Sequence, residues 1–105
     1  MKRKQENLIP AYKNLSRRVN NSIIGTVSEL RAAVSLFKHG YHVFRALSPA
    51  CPCDLIGLKS GKLTTFEVRT GSIVKGSGKI FVERTKEADV LVIVLRNQII
   101  YEPPI

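Results

Sequence analysis

The clearest periodic pattern in the chain lies between residues 23 and 37. Its apolar residues recur at alternating steps of four and three, the spacing of an amphipathic helix, and we expect this face to lie in the core. Gly40 should end the helix. A shorter segment with similar spacing, residues 8–19, predicts a helix that starts after Pro10. The apolar stripe of the main helix consists of Ile23, Val27, Leu30, Val34 and Phe37.

The rest of the chain has the pattern of β-strands. Two apolar-rich runs meet at the turn dipeptide Ser60-Gly61 and predict a hairpin. The run Ala88–Leu95 is continuous and rich in β-branched residues and leucine, as expected of a central buried strand. The glycine-rich stretch Gly71–Arg84 predicts a weak hairpin or a mobile flap. Further strands are expected at Tyr41–Leu47 and Gln98–Tyr101, which gives an α/β fold with a mixed sheet of four to five strands flanked by helices.

The predicted hairpin brings two acids face to face. A turn at Ser60-Gly61 sets Asp54 directly across from Glu67, where opposed side chains are roughly 4.5–5.5 Å apart at Cβ and like charges destabilise the pair. A positive charge is therefore expected between them. A divalent cation such as Mg²⁺ or Mn²⁺ is a candidate because it prefers hard oxygen ligands.

A third acid, Glu29, lies on the predicted helix. At 100° per residue it falls on a flank with Gly25, Ala33 and Leu36, which are unusual neighbours for a surface charge. One interpretation places Glu29 in a site with the other two acids. The alternative is a carboxylate at the helix edge that makes a local hydrogen bond.

Taken in order, these residues resemble the PD-(D/E)xK nuclease superfamily, which includes restriction enzymes, archaeal Holliday-junction resolvases and intron-encoded endonucleases. The resemblance covers roughly residues 25–101, and its specificity comes from the ordered set because each piece is short. The motif Gly25-x-x-x-Glu29 comes first. It is followed by Gly40-Tyr41-x-Val43, Asp54-Leu55-Ile56, Phe66-Glu67-Val68-Arg69 and Ala88-Asp89-Val90-Leu91.

The resemblance implies a restriction-endonuclease-like core and Mg²⁺- or Mn²⁺-dependent hydrolysis of DNA. Asp54, Glu67 and the Val68 carbonyl would bind the ion, and Glu29 would bind a second ion or orient a water ligand. Arg69 stands where the family has lysine; it can neutralise a phosphate but cannot readily act as a base. Cleavage of both strands of a two-fold substrate implies a homodimer or a higher homo-oligomer.

The chain carries a large excess of basic residues. Its 105 residues include 17 basic and 8 acidic ones, for a formal net charge of +9, which favours a polyanionic partner. We expect residues 1–21 to form a basic arm or short helix, and residues 22–105 to form one nuclease-like domain. The arm either grips nucleic acid or is a solvated tail. The candidate DNA contacts are Lys2, Arg3, Lys4, Lys13, Arg17 and Arg18, with Lys75 and Lys79 in the glycine-rich stretch.

Other features narrow the function further. No stretch approaches the ~18 apolar residues of a membrane span, so we expect no membrane partner and a cytoplasmic location. Cys51 and Cys53 lack zinc-site spacing and are expected to be small, partly buried residues beside Asp54.

Two alternatives to a nuclease stay open. One is a nuclease-like module that binds nucleic acid without cleaving it, and the other is a small basic RNA- or ribonucleoprotein-associated protein.

Overall fold

A computed structural model describes residues 21–73 and 76–105. Within them, helix α1 covers residues 21–38 and is followed by strands alone. The residues of the predicted N-terminal helix lie outside the described part. No helix in the described ranges is long and apolar enough to cross a membrane. The strands are β1 (His42–Arg45), β2 (Leu55–Lys59), β3 (Lys62–Thr70), β4 (Ser72–Ile73), β5 (Ile80–Phe81), β6 (Val90–Val94) and β7 (Ile99–Glu102).

Five strands form one mixed sheet in the order β1-β2-β3-β6-β7, and β4 pairs with β5 in a separate two-stranded sheet. Strands β3 and β6 are parallel, and every other pair is antiparallel. The predicted α/β class, with a mixed sheet of four to five strands, is therefore confirmed. The glycine-rich stretch does contain a short hairpin, but it pairs Ser72 with Phe81 and Ile73 with Ile80, whereas the sequence predicts Ile73-Val74 paired with Phe81-Val82.

The β2–β3 hairpin has the predicted register, with Leu58 opposite Leu63 and Lys59 opposite Lys62. Its two-residue turn has positive φ at both positions, 53° at Ser60 and 75° at Gly61. This is the backbone of a type I′ turn, whose twist matches that of the flanking strands. The turn fixes the register of all the residues that follow it, including Glu67.

Strand β6 is buried along its whole length, as predicted for a central strand. Its start is aligned with β3 by a reciprocal pair of hydrogen bonds. Thr65 N donates to Asp89 Oδ2 at 3.0 Å, and Asp89 N donates to Thr65 Oγ1 at 2.9 Å. Because these bonds fix both backbones at one point, they set the parallel register in which Glu67 lies opposite Leu91.

Helix α1 ends as the sequence predicts. Gly40 has φ of 87°, and its N–H donates to the Phe37 carbonyl while the Tyr41 N–H donates to that of Leu36, each at 3.0 Å. These two bonds form a Schellman motif, in which a left-handed residue, most often glycine, ends the helix. The chain then turns directly into β1.

The prediction that the apolar stripe of α1 faces the core is wrong. All five residues of the apolar stripe are exposed, whereas Ala32 and Leu36 are fully buried against the sheet and Ser28 is buried with them. Ser28 Oγ lies 2.6 Å from Thr70 Oγ1 of β3, so a polar contact helps to hold the helix on the sheet. The helix is rotated so that its smaller side chains face inward.

Candidate active site

Asp54 lies immediately before β2 and is tied to β3 by its backbone and its side chain. Its N–H donates to the Phe66 carbonyl at 2.9 Å, and its Oδ2 accepts from the Val68 N–H at 2.8 Å. The hairpin register ends with Leu55 opposite Phe66, and these two bonds hold Asp54 beside the Phe66–Val68 segment of β3. Its second oxygen, Oδ1, lies 2.9 Å from Lys86 Nζ.

Glu67 is fully buried, and one of its oxygens accepts several hydrogen bonds. Oε2 accepts from the N–H groups of Thr85 and Lys86 at 2.8 and 3.0 Å, from the Thr85 hydroxyl at 3.2 Å and from Arg69 Nε at 3.1 Å. Within the described residues Oε1 accepts no hydrogen bond, but it forms an ion pair with Arg84 Nε at 3.6 Å. The buried carboxylate thus has one oxygen saturated by hydrogen bonds and one that only faces a guanidinium.

The hydrogen bonds to Glu67 control its ionisation. Burial alone would raise the pKa of this carboxyl, but the bonds from Thr85, Arg69 and Lys86 stabilise the charged form and leave the pKa below its ordinary value. Glu67 is therefore an anion at neutral pH despite its burial.

Lys86 joins the two carboxylates and was not among the site residues predicted from the sequence. Its backbone N–H binds Glu67, and its ammonium binds Asp54 together with the carbonyls of Pro49 and Cys51, at 3.3 and 3.0 Å. The expected positive charge between the acids is thus supplied by the protein. We name Asp54, Glu67, Arg69 and Lys86 the carboxylate site.

Glu29 does not join this cluster. It pairs with Arg45 Nε at 3.1 Å, and the described residues contain no group of three acids, histidines or cysteines that could bind a metal ion. The physical reason is that α1 covers one face of the sheet, with Phe66 and Val68, whereas Glu67 and Arg69 point to the other. Glu29 and Asp54 nevertheless line one cleft of about 940 Å³.

The carboxylate site offers a divalent cation two candidate ligands. Glu67 Oε1 is buried, accepts no hydrogen bond from the described residues and faces Arg84 Nε at 3.6 Å; a buried oxygen without a hydrogen bond is unusual unless a further ligand completes it. Asp54, which Lys86 links to Glu67, is the second carboxylate. An ion bound by Asp54 Oδ1 would have to replace the Lys86 ammonium, which now lies 2.9 Å from that oxygen.

The predicted DNA-contacting residues are only partly described. Lys79 is exposed next to β5. Basic side chains also line the cleft itself, namely Arg45, Arg69 and Lys86. Lys2, Arg3, Lys4, Lys13, Arg17, Arg18 and Lys75 lie outside the described residues.

The cysteines have the expected structural role. Both are free thiols; Cys53 is buried and Cys51 is partly buried. Burial raises the pKa of the Cys53 thiol, and the neighbouring Cys51 and Asp54 raise it further. A thiol of this kind is a poor nucleophile, so Cys53 serves as a small apolar residue behind Asp54.

Comparison with known proteins reveals a similarity of fold. No protein-family model matches the chain, and no curated protein sequence matches it either. Among solved structures, the bacterial homing endonuclease I-Ssp6803I is similar, with a TM-score of 0.64 and 20% identity. The match covers 76% of this chain and 61% of that protein, so the chain spans less than two thirds of its structural neighbour. At this identity, the similarity establishes a shared fold.

Proposed function

We propose that this chain is a Mg²⁺- or Mn²⁺-dependent DNA endonuclease whose active centre is the carboxylate site. The observation that carries the proposal is the fully buried Glu67, whose Oε1 accepts no hydrogen bond from the described residues and which Lys86 links to Asp54. Support also comes from the fold, which is similar to that of a protein described as a homing endonuclease. The net charge of +9 suits a DNA substrate.

Each residue of the site has a defined part in this proposal. Asp54 and Glu67 would bind the divalent ion, which supplies polarisation of the scissile phosphate and a lower pKa for the attacking water. Arg69 and Lys86 line the cleft and provide positive charge where negative charge develops on the phosphate. Arg69 stays protonated throughout, since a guanidinium does not act as a general base at neutral pH.

Lys86 has two positions in this proposal. In the structure its ammonium neutralises Asp54, which prevents the two acids from repelling each other when no ion is bound. A divalent cation held by Asp54 would displace the Lys86 ammonium toward the cleft, which Lys86 lines. The flexible four-carbon chain of Lys86 would then allow the ammonium to contact the substrate phosphate. Lys86 would thus serve as the lysine that the position of Arg69 lacks.

Glu29 has a supporting role in the proposal. Its carboxylate holds the Arg45 side chain at 3.1 Å, and both residues line the cleft. We propose that this pair positions the guanidinium for a DNA phosphate and that Glu29 orients water near the ion. The ion pair with Arg45 argues against Glu29 as a third ligand of the same ion.

A second candidate function is a nuclease-like module that binds DNA without cleaving it. The balance of charges in the site favours this candidate. Asp54 forms an ion pair with Lys86, and Glu67 forms one with Arg69. Such a site is electrostatically complete without a metal ion. The third possibility, a generic basic RNA-associated protein, gives no reason for a fully buried Glu67 that Lys86 links to Asp54.

Incubation of the purified chain with supercoiled plasmid and four-way-junction DNA distinguishes these candidates. The endonuclease proposal expects nicked or linear products with Mg²⁺ or Mn²⁺ and none with EDTA. A mobility-shift assay on the same DNA supplies the second readout. Tight binding without any product under all metal conditions would favour the inactive module.

A further inference from the structure

Helix α1 presents its largest apolar side chains to solvent. Ile23, Val27, Leu30, Val34 and Phe37 are between 47% and 58% exposed. With the half-exposed Ile24, they form a continuous apolar patch that we estimate at roughly 400–500 Å², within the size range at which surface patches are often functional. This apolar stripe requires a partner.

The stripe cannot be buried by rotation of the helix within its own domain. The opposite side of α1 is already packed, with Ala32 and Leu36 fully buried in the core and Ser28 bonded to Thr70. Turning the helix would expose those residues and break that hydrogen bond. The partner must therefore approach from outside the sheet.

The spacing of the stripe suits a second helix as the partner. Steps of four, three, four and three average 3.5 residues, the repeat with which two helices pack along a shared seam, knobs into holes. The stripe is centred on Leu30, seven residues from both Ile23 and Phe37. A second copy of the same helix therefore matches it, whichever way the two helices run.

We infer that the apolar stripe is the interface of a homodimer in which α1 packs against α1 of a second copy. Leu30 then faces the partner subunit's Leu30. The two patches together would bury on the order of 1,000 Å², about the minimum for a specific interface. Arg31 and Lys38 border the stripe on one edge, which leaves its centre apolar. The inference rests on the helix alone, so its failure would leave the proposed function untouched.

The inference is tested by measuring the mass of the full chain with light scattering as the protein elutes from a size-exclusion column. We expect the parent to have twice the monomer mass of 11.7 kDa, and Leu30→Glu to have half the parent's mass. Leu63→Glu is the matched control, because Leu63 is 60% exposed but lies on β3, away from the stripe. This variant should stay dimeric.

A monomeric parent at all concentrations up to about 100 μM would overturn the inference. If Leu30→Glu were then also less stable to heat, the occupant would be residues 8–19 of the same chain, which have similar apolar spacing. If its stability were unchanged, the stripe would serve a different protein.

Cross-linking keeps the inference testable even if Leu30→Glu does not fold. Leu30→Cys retains an apolar side chain, and two such residues facing each other across a helix pair are close enough for a disulfide. Under mild oxidation we expect at least about tenfold more disulfide-linked dimer from Leu30→Cys than from the parent, whose Cys51 and Cys53 provide the background. An equal yield from both proteins would contradict the interface.

Discussion

Lys86 Nζ lies 2.9 Å from Asp54 Oδ1 and forms an ion pair with that carboxylate. The same residue donates its backbone N–H to Glu67. One residue thus contacts both acids, and it comes from the segment between β5 and β6. Any cation that binds Asp54 at this oxygen competes with a group of the protein itself.

Because the Lys86 ammonium competes with a cation for Asp54, removal of its charge should increase the affinity for metal ions. Lys86→Gln retains most of the side-chain length but removes the charge, so Mn²⁺ should bind more tightly, by about 1 kcal/mol or roughly fivefold in Kd. Calorimetric titration of the metal into DNA-free protein measures the change. Lys79→Gln, in which an exposed lysine outside the cleft loses its charge, is the matched control and should bind Mn²⁺ like the parent. Equal affinities for all three proteins would mean that Lys86 does not occupy a metal position.

Glu67 predicts how stability depends on pH. Its folded-state pKa lies below the ordinary value of 4.5, so its charge stabilises the fold above that pH, and this contribution is lost as the pH falls through the folded pKa. Denaturant unfolding between pH 6 and pH 3 should therefore show a steeper loss of stability for the parent than for Glu67→Gln. Parallel curves would show that the hydrogen bonds to Oε2 do not stabilise the anion.

At neutral pH the same substitution should destabilise the protein. The opposed acids seen in the sequence would suggest that Glu67→Gln relieves repulsion. In the structure, however, the carboxylate accepts four hydrogen bonds and pairs with Arg69, so its loss leaves a buried network without its anion. We expect a cost of roughly 1–3 kcal/mol, measured by urea unfolding at pH 7.

Replacement of Arg69 should lower the stability of the fold more than it lowers the affinity for DNA. Its guanidinium is committed to Glu67 and to the Thr85 hydroxyl, so it is not free to grip a phosphate with both of its edges. Arg69→Lys loses one of these two contacts and should cost about 1 kcal/mol in unfolding free energy. DNA affinity should change by less than about threefold and cleavage should persist. A large loss of affinity at unchanged stability would instead show that Arg69 clamps phosphate directly.

If the basic N-terminal residues contact DNA, they should contribute to the salt dependence of DNA affinity. If Lys2, Arg3 and Lys4 each neutralise a phosphate, replacing all three with glutamine should reduce the slope of log K against log salt by about 2.7 on duplex DNA. Fluorescence anisotropy between 50 and 300 mM NaCl measures the slope. An unchanged slope would show that this segment is a solvated tail.

Local features of the sequence predict much of the fold. The Ser60-Gly61 turn has two residues with positive φ, and such a short turn leaves one register, so the pairing from Lys59–Lys62 to Leu55–Phe66 follows. The composition of Ala88–Leu95 likewise identifies a strand buried on both faces. Both the turn and the strand are determined by residues that are close in sequence, so the sequence pattern is enough to predict them.

Other features depend on contacts that the sequence pattern does not contain. The spacing of Ile23, Val27 and Leu30 identifies an apolar face of the helix but not what covers it, and the small residues Ser28 and Ala32 face the sheet instead. Lys86 is 32 residues from Asp54 and reaches it only because the chain returns after β5. Glu29 falls on the other side of the sheet from Glu67, a separation that helical periodicity alone does not reveal.

Metal-dependent cleavage by an Asp54 variant tests the central claim most directly. Plasmid nicking should be compared for the parent, Asp54→Asn and Asp89→Asn, since Asp89 is an acid that hydrogen-bonds Thr65 and does not line the cleft. With Mg²⁺ or Mn²⁺ we predict that the parent and Asp89→Asn nick DNA, and that Asp54→Asn is slower by at least ~10²-fold while it still binds DNA. Equal, metal-independent nicking by the parent and Asp54→Asn would contradict the assignment of the carboxylate site as a nuclease centre.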